Sequence, residues 1–305
     1  MPTGTDPPFL FPNFTGPIFL PSRPRTESGI LTNPVVFYWI PHVVISLTTY
    51  SCLRVIFRSL WVWFSSVVLF LIWIPLLAVV SLFDRDPARY RTGRWFRRLG
   101  AAMTRANPVW SIVISGDVPE DMRKPYLVIG NHQSLADIPV FSRLPWEMKW
   151  VGKASLFKIP ILGWMMRTAG DIPVDRGNRR SRAQVLIDAR DRLRKRVSVL
   201  ILPEGTRSSD GRVGAFSDSP FKFAIKEKVS VLPIALDGTF SALPKDTWRF
   251  GQKSFIRVRI FEPIDTTTWA GTGTELRDKV RAMIIGQIAE WRGVLETEVD
   301  SPIDP

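Results

Sequence analysis

The chain has 305 residues, with 41 Lys and Arg against 28 Asp and Glu, which gives a formal net charge of +13. Apolar residues make up 45% of the chain, and this fraction is too high for a disordered protein. A single Cys and two His exclude a disulfide framework and argue against a metal site with several His ligands. The basic excess indicates a negatively charged partner, either a nucleic acid or an anionic membrane surface.

Residues 1–34 contain eight Pro, with four Phe scattered among them. This composition predicts an extended or disordered tail. The tail lacks a basic segment followed by an apolar run, so we do not expect a secretory signal peptide.

The segment Ser59–Phe83 has 25 residues and no charged side chain. The apolar core of a bilayer is roughly 30 Å thick and takes about 20 helical residues to cross, so this run is long enough to span it. The alternative is a helix buried in a soluble core. The weaker uncharged stretch before Arg54 predicts either a second span, forming a helical hairpin, or a helix in the membrane interface. We therefore predict a membrane-associated helix or helical hairpin over residues 35–84.

Six Arg follow this segment within residues 85–98. By the positive-inside rule, they predict that this side of the membrane faces the cytoplasm. Arginines next to a membrane also attract anionic lipids, at about 1 kcal/mol for each charge. No nucleic-acid-binding motif is apparent in the sequence, so we expect anionic membrane lipids as partners and no nucleic acid.

From Val109 to Glu262, short apolar runs typical of strands alternate with helical stretches, and a last amphipathic helix is predicted near Glu275–Leu295. This alternation predicts an α/β fold with a mostly parallel sheet flanked by helices, preceded by an N-terminal membrane-embedded helical segment. The predicted organisation is a tail at 1–34, a membrane-associated segment at 35–84, the α/β domain at 85–296 and an acidic tail at 297–305.

Polar and charged side chains follow four of the predicted strands. Ligands bind beyond the carboxyl ends of the strands in open α/β sheets, so these side chains meet at one edge if the strands are parallel neighbours. They are His132, Lys153, Arg176, and the run Glu204, Gly205, Thr206 and Arg207.

His132 and Asp137 are five residues apart, and that spacing separates two side chains by about 140° on a continuous helix. The two side chains meet only if His132 lies in the loop after a strand and Asp137 lies in the first helical turn. Asp137 would then fix the tautomer of His132, which would act as a base towards a hydroxyl. The alternative is that Ser134 and Asp137 form only a helix capping box, with His132 a polar loop residue.

The cations at the strand ends suit a phosphomonoester, because guanidinium binds phosphate in a bidentate manner and Lys adds a point charge. The candidates are Lys153, Arg176 and Arg207. The alternative is that Arg207 pairs with Glu204, and Arg176 with Asp175, as structural ion pairs.

Four blocks of the sequence occur in a characteristic order. They are Asn131-His132 with Asp137, Gly152–Gly163 with Ile172–Arg176, Glu204–Ser208, and Val231–Leu236. Over roughly residues 100–265, these blocks resemble the glycerolipid acyltransferase family, which includes 1-acylglycerol-3-phosphate acyltransferases. The ordered combination is specific, although each block alone is not.

The resemblance implies a direct acyl transfer without an acyl-enzyme. His132 with Asp137 would activate a glycerol hydroxyl, which attacks the thioester of acyl-CoA or acyl-carrier protein and gives phosphatidic acid. The family's pattern assigns the remaining candidates, including Thr206, to substrate binding. It implies that the three cations hold the phosphate and that Glu204 and Gly205 position the glycerol. The resemblance implies no metal and no cofactor besides the acyl donor.

Two alternative functions stay open at this point. The first is an acyltransferase for another lysolipid acceptor. The second is a non-catalytic lipid-binding membrane protein. The run Phe216–Phe221 departs from the family, since Asp218 and Pro220 stand where a basic residue and a Gly are usual. This departure is consistent with an acceptor lysolipid other than lysophosphatidic acid.

Overall fold

The computed structural model describes residues 40–251 and 253–301, with side chains described from Leu53 onwards. The predicted Pro-rich tail at 1–34 and the last four residues of the predicted acidic tail lie outside this part of the chain. The predicted domain boundaries therefore stay predictions.

Helix α1 (Ile40–Phe83) contains the predicted apolar run. Its portion Leu53–Phe83 has 31 residues. The most apolar window of this portion has a mean hydropathy of 2.7, and 6% of that window is buried inside the protein. By length and composition it is the one helix in the described part of the chain that is able to cross a membrane.

One side of α1 packs on the rest of the protein. Leu77 is fully buried against Leu99 and Met165, and the indole nitrogen of Trp73 donates to the carbonyl oxygen of Trp95 at 2.9 Å. The other side is apolar and exposed. Its exposed large side chains are Leu53, Phe57, Leu60, Trp61, Trp63, Phe64, Val67, Val68, Leu71, Ile72, Leu76, Val79, Leu82 and Phe83.

Helix α2 (Tyr90–Ala106) occupies the Arg-rich segment, which the sequence analysis treated only as a basic cluster beside the membrane. That treatment was wrong for Arg97, which is 2% exposed and pairs with the buried Asp171. Arg97 is therefore not available to lipids, whereas Arg91 and Arg98 on the same helix are exposed.

Seven strands and seven further α-helices follow in the described part of the chain. The strands are β1 (Trp110–Gly116), β2 (Leu127–Gly130), β3 (Met148–Lys153), β4 (Ile172–Val174), β5 (Ser198–Ile201), β6 (Val231–Asp237) and β7 (Ser254–Ile260). The helices are α3 (Asp137–Phe141), α4 (Pro160–Ala169), α5 (Arg179–Arg194), α6 (Ser219–Glu227), α7 (Thr239–Ala242), α8 (Gly273–Arg292) and α9 (Glu296–Val299).

The strands form one sheet in the order β1-β7-β6-β2-β5-β3-β4. All neighbours are parallel except β6 and β7, so β1 and β7 run against the other five strands. The predicted α/β class with a mostly parallel, helix-flanked sheet is confirmed.

The two faces of the sheet carry different helices, because alternate residues of a strand point to opposite faces. Leu127 and Ile129 of β2 pack in the cluster that contains residues of α5, α6 and α8. Val128 packs in the other cluster with Phe141 of α3, and α2 packs on α3 and α4. Helices α1 and α2 therefore lie on one side of the sheet, and α5 and α6 lie on the other.

Candidate active site

The candidate residues meet at the carboxyl edge of the sheet. Strands β2, β5, β3 and β4 are consecutive parallel neighbours, so the loops that follow them open on the same side. His132 follows β2, Lys153 ends β3, Arg176 follows β4, and Arg207 lies in the loop after β5. The pattern of strand ends in the sequence thus predicted this grouping.

His132 and Asp137 are in contact. The distance from Nδ1 of His132 to Oδ2 of Asp137 is 2.7 Å, and the Asp137 side chain is fully buried. Oδ2 also accepts hydrogen bonds from the backbone N–H groups of Gln133 at 2.8 Å and Ser134 at 3.0 Å. A carboxylate only accepts hydrogen bonds, so Nδ1 carries the imidazole proton and Nε2 is left as the basic nitrogen.

The capping-box alternative does not describe this turn. Helix α3 begins at Asp137 with Ala136 in the capping position, and no side chain caps it. The hydroxyl of Ser134 donates to the carbonyl oxygen of Leu243. The Asp137 carboxylate therefore organises the loop of His132.

His132 lines a cavity of about 810 Å³. Leu135, Val151 and Leu202 form part of its apolar wall. Six cationic side chains also line it. Three of them, Lys153, Arg176 and Arg207, were predicted from the sequence. The other three, Arg179, Arg182 and Lys245, were not.

The alternative in which these arginines form local ion pairs is wrong. Among the described residues, the one carboxylate within 4.0 Å of Arg207 is that of Asp246, at 3.9 Å and 80% exposed. Arg176 has no ion pair in the same part of the chain, and Asp175 accepts instead from the backbone of Gly177. The charges of both guanidinium groups are therefore available to a ligand.

Gly205 and Thr206 also line the cavity. Gly205 has φ of +70°, a left-handed conformation that favours glycine. A Cβ there would meet nothing within 4 Å, so the backbone conformation and not crowding accounts for glycine at this turn.

The Glu204 carboxylate contacts two loops of the site, and its predicted contact with a substrate glycerol stays a prediction. Its carboxylate accepts from the backbone N–H of His132 at 2.6 Å through Oε1 and from that of Gly214 at 2.9 Å through Oε2. The N–H of Ser208 donates to the carbonyl oxygen of His132 at 2.9 Å. Glu204 therefore fixes the His132 loop to the loop after β5, which makes it a positioning residue.

A second set of buried interactions, around Asp237, supports the His132 loop and was not predicted from the sequence. Asp237, at the end of β6, accepts from Arg292 of α8 at 2.7 Å and from Arg257 at 3.1 Å. Gln133 donates to it at 3.3 Å. Burial acts to raise the pKa of Asp237, but the hydrogen bond and charge of Arg292 hold it below its ordinary value. The sequence contains a signal for this residue, since Asp237 is a charged residue that directly follows the apolar run Val231–Leu236.

Comparison with known proteins identifies this arrangement. A family model described as Acyltransferase matches residues 112–237, which include His132, Asp137 and the loop after β5. The chain is 34% identical over 197 residues to the chloroplastic 1-acyl-sn-glycerol-3-phosphate acyltransferase LPAT1 of Arabidopsis thaliana, covering 64% of this chain and 55% of that protein. Residues 112–237 of this chain therefore form an acyltransferase domain.

Two further acyltransferases resemble the chain over most of their own length. The lyso-ornithine lipid O-acyltransferase of Pseudomonas aeruginosa is 28% identical over 210 residues, which are 63% of this chain and 77% of that protein. The crystal structure of the 1-acyl-sn-glycerophosphate acyltransferase PlsC from Thermotoga maritima has a TM-score of 0.68 and 27% identity, covering 80% of this chain and 98% of that one. This chain spans a little over half the length of the plant and algal relatives that it matches.

The departure from the family pattern at residues 216–221 has a structural role here. Asp218 pairs with Lys222 of α6 at 3.1 Å and with Arg277 of α8. Pro220 stands in the first turn of α6, where its missing N–H costs no helical hydrogen bond. In this chain the run therefore starts α6 and connects it to α8.

No cluster of three or more His, Cys, Asp or Glu able to hold a metal ion occurs within the part of the chain that the structure describes. The expectation that the reaction needs no metal stays a prediction. The chemistry that the cavity residues supply themselves is that of a base and an anion-binding site.

Glu204 predicts a specific dependence of stability on pH. Burial raises the pKa of Glu204 to about 7 from its ordinary value of 4.5. Between these two pH values the folded protein therefore holds a proton that the unfolded chain releases. Stability therefore falls as pH rises through this window. Between about pH 5 and about pH 8, we expect Tm to fall more for the wild-type protein than for Glu204→Gln, measured by thermal unfolding in detergent micelles.

The exposed Glu262 provides the matched control. Glu262→Gln removes the same charge away from the cavity, and it should keep the wild-type dependence of Tm on pH. An unchanged dependence in Glu204→Gln would show that Glu204 ionises normally in the folded protein.

Proposed function

We propose that this chain is a membrane-associated 1-acylglycerol-3-phosphate acyltransferase. It transfers a fatty acyl group from the thioester of acyl-CoA or acyl-carrier protein to the free hydroxyl of the lysolipid, giving phosphatidic acid. The observation that carries the proposal is the contact between His132 and Asp137 beside a cavity lined by Lys153, Arg176 and Arg207. The names of the relatives support the same reaction.

In the proposed reaction, Nε2 of His132 removes the proton of the acceptor hydroxyl as its oxygen attacks the thioester carbonyl. The tetrahedral intermediate then expels the thiolate, which takes the proton from the imidazolium. The carboxylate of Asp137 stabilises the imidazolium between these steps. No bond forms between the enzyme and the acyl group, and the protein ends in its starting protonation state.

The cations on the cavity wall support a phosphate-bearing acceptor. We assign Lys153, Arg176 and Arg207 to the phosphate of the lysolipid, because they stand near His132 without close carboxylate partners among the described residues apart from the exposed Asp246. Charge-assisted hydrogen bonds from guanidinium to phosphate are strong and directional. Gly205 and Thr206 directly precede Arg207 in the chain and line the same cavity. We assign them to substrate contact.

The exposed apolar side of α1 supports membrane association. Its aromatic and aliphatic side chains cover about eight turns of helix, and such a surface favours lipid over water. We propose that the cavity faces the cytoplasm, as the exposed arginines of α2 and the positive-inside rule suggest. A lysolipid in the same membrane is then close to the domain that uses it.

A second acceptor class has support from the lyso-ornithine lipid O-acyltransferase that the chain resembles. Such an acceptor replaces the glycerol phosphate with an amino-acid headgroup. The cluster of cations in the cavity favours the phosphate, since an anionic cradle would suit an amine better.

The test is an acceptor panel with the purified full chain and radiolabelled oleoyl-CoA. The panel contains 1-acylglycerol-3-phosphate, lyso-ornithine lipid, lysophosphatidylcholine and lysophosphatidylethanolamine. We expect turnover of 1-acylglycerol-3-phosphate to exceed that of the others. A preference for lyso-ornithine lipid would show that this lipid is the acceptor and not 1-acylglycerol-3-phosphate. If no acceptor is acylated, with oleoyl-CoA or with oleoyl-acyl-carrier protein as donor, the result would support the non-catalytic alternative.

A further inference from the structure

The loop of residues 243–253, which joins α7 to β7, lies against helix α1 and is called the α7–β7 loop below. The indole nitrogen of Trp63 donates to the carbonyl oxygen of Trp248 at 2.8 Å. The backbone N–H of Phe250 donates to the hydroxyl oxygen of Ser59 at 3.0 Å, and its ring lies 5.6 Å from that of Trp63. Backbone and aromatic contacts therefore fix this loop to α1.

Helix α1 lies along the domain over this part of its length. Val62 is buried and packs with Ala136 and Leu243, and Leu77 is buried against Met165 of α4. The packing extends from Val62 to Leu77, about 22 Å of helix at 1.5 Å for each residue. A surface that flanks α1 on the domain therefore meets the same medium as the exposed apolar side of α1.

The surface that α1 and the α7–β7 loop form together is aromatic. Trp63 is 43% exposed and Trp248 is 46% exposed, and Phe64 beside Trp63 is 64% exposed. Because Trp63 bonds to the backbone of Trp248, the two indoles belong to one continuous surface. Single apolar side chains are normal on a protein surface, whereas a continuous patch marks an interaction site.

The same loop is basic. Lys245, Arg249 and Lys253 are exposed, and Asp246 is the one acidic residue of the loop, which gives it a net charge of +2. Among the described residues, Arg249 and Lys253 pair with no carboxylate. The guanidinium of Arg249 lies 5.7 Å from the ring centroid of Trp248. Aromatic rings next to free cations suit the interface of an anionic bilayer.

The α7–β7 loop also reaches the cavity. Lys245 lines the cavity together with His132. The hydroxyl of Ser134, in the His132 loop, donates to the carbonyl oxygen of Leu243 at the start of the α7–β7 loop. The depth of this loop in a membrane therefore fixes the height of the cavity relative to the lipid headgroups.

We infer that the α7–β7 loop is a second membrane-contact element beside α1, with Trp248 seated among the headgroups of an anionic bilayer and Arg249 paired with a lipid phosphate. The inference rests on the membrane association proposed above and names an element outside α1 that contributes to it. An indole has an apolar body and a polar N–H and prefers the interfacial region. A guanidinium next to it binds phosphate.

Fluorescence quenching in vesicles tests the inference with three single-cysteine variants of the full chain. Each carries Cys52→Ser, which removes the one native Cys, and an NBD fluorophore attached at Trp248→Cys, Phe64→Cys or Ile187→Cys. Trp248→Cys retains the bond to α1, because that bond uses the backbone carbonyl oxygen. Ile187 is 57% exposed and lies on α5, on the opposite side of the sheet, so it is the matched control.

The vesicles contain phosphatidylcholine and phosphatidylglycerol, with or without a lipid that carries a nitroxide near its headgroup. We expect the nitroxide to quench the fluorophores at positions 248 and 64 and to leave the one at 187 unchanged. Quenching at 64 without quenching at 248 would overturn the inference and leave the membrane association of α1 standing. Quenching at neither position would overturn both.

A different occupant of the surface would give a different signal. If the fluorescence at position 248 shifts to the blue as the protein-to-lipid ratio rises, and the nitroxide has no effect, a second copy of the chain covers the loop. That result would also overturn the inference. Equal quenching at positions 248 and 187 would overturn it as well, because the contact would then not be specific to this loop.

The charge of Arg249 provides a second measurement on the protein labelled at position 248. Arg249→Gln should shift the insertion equilibrium of the loop about fivefold towards water, which corresponds to about 1 kcal/mol for one cation at an anionic surface. Arg194→Gln removes an exposed cation of α5 and should leave the quenching unchanged. Equal quenching in the two variants would overturn the pairing of Arg249 with lipid. Neither measurement requires acyl transfer, so each stands even if the protein proved inactive towards every acceptor.

Discussion

Asp137→Ala is expected to lower kcat about a thousandfold, within the 10²–10⁴ range typical of general acid–base catalysis. The substitution removes the acceptor for Nδ1 of His132 and leaves the backbone N–H groups of Gln133 and Ser134 without a partner. The imidazole then loses both its fixed tautomer and the negative charge that stabilises the imidazolium.

Asp137→Asn separates these two contributions. All three hydrogen bonds reach Oδ2, whereas Oδ1 is buried without a partner among the described residues. An Asn amide therefore keeps its oxygen towards the three donors, because the opposite orientation would direct an NH₂ group at two backbone N–H groups. The tautomer of His132 is retained and only the charge is lost, so we expect kcat to fall about tenfold to a hundredfold.

Steady-state acyl transfer with both variants tests this order of effects. The exposed Asp117 offers a matched control, and Asp117→Asn should retain wild-type kcat. Equal losses in Asp137→Asn and Asp137→Ala would mean that orientation contributes nothing beyond charge. Wild-type activity in Asp137→Ala would remove Asp137 from the reaction.

Arg97→Met is expected to destabilise the protein by about 3–5 kcal/mol, the cost of leaving a buried charge without its partner. Arg97 pairs with Asp171 and lies 3.9 Å from Glu147, which in turn pairs with Lys149 at 2.9 Å. All four side chains are buried, and their charges cancel. Burial raises the pKa of Glu147 and lowers that of Lys149, so the loss of one cation leaves the acids poorly compensated.

The same four residues hold α2 against the sheet. Helix α2 approaches so closely that a Cβ at Gly93 would lie 1.9 Å from Oε1 of Glu147. The guanidinium of Arg97 also stands over the indole of Trp150, 3.9 Å from the ring centroid. Loss of this cluster therefore loosens the helix on which α1 packs.

Unfolding by denaturant in detergent micelles measures this effect against Arg91→Met. Arg91 is exposed on the same helix, and its substitution should stay within about 0.5 kcal/mol of the wild type. If both variants unfold at the same denaturant concentration, the buried ion pairs do not contribute to the stability of the domain.

The parts of the site that the sequence predicts are those that depend on strand ends. An apolar run followed by polar residues indicates a strand that opens at a functional edge, and this applies to His132, Lys153, Arg176 and Arg207. The contact of His132 with Asp137 was also predictable, since it lies within one loop and one helical turn. Local spacing carries that information.

The parts that the sequence did not predict depend on distant contacts. Glu204 binds the backbone of His132, 72 residues away, and only the adjacency of β2 and β5 brings the two loops together. Arg97 pairs with Asp171, 74 residues away, so the composition of α2 alone suggested an exposed basic cluster. Lys245 reaches the cavity from the loop after α7, a segment without a motif.

The most direct test of the account compares phosphatidic acid formation by the wild-type protein and by His132→Ala, using radiolabelled oleoyl-CoA and 1-acylglycerol-3-phosphate. A matched unfolding curve for the two proteins establishes that both are folded. The account predicts a loss of at least about a hundredfold in kcat for the variant. Equal rates for the two proteins would contradict it, because acyl transfer would then proceed without the imidazole of His132 as the base.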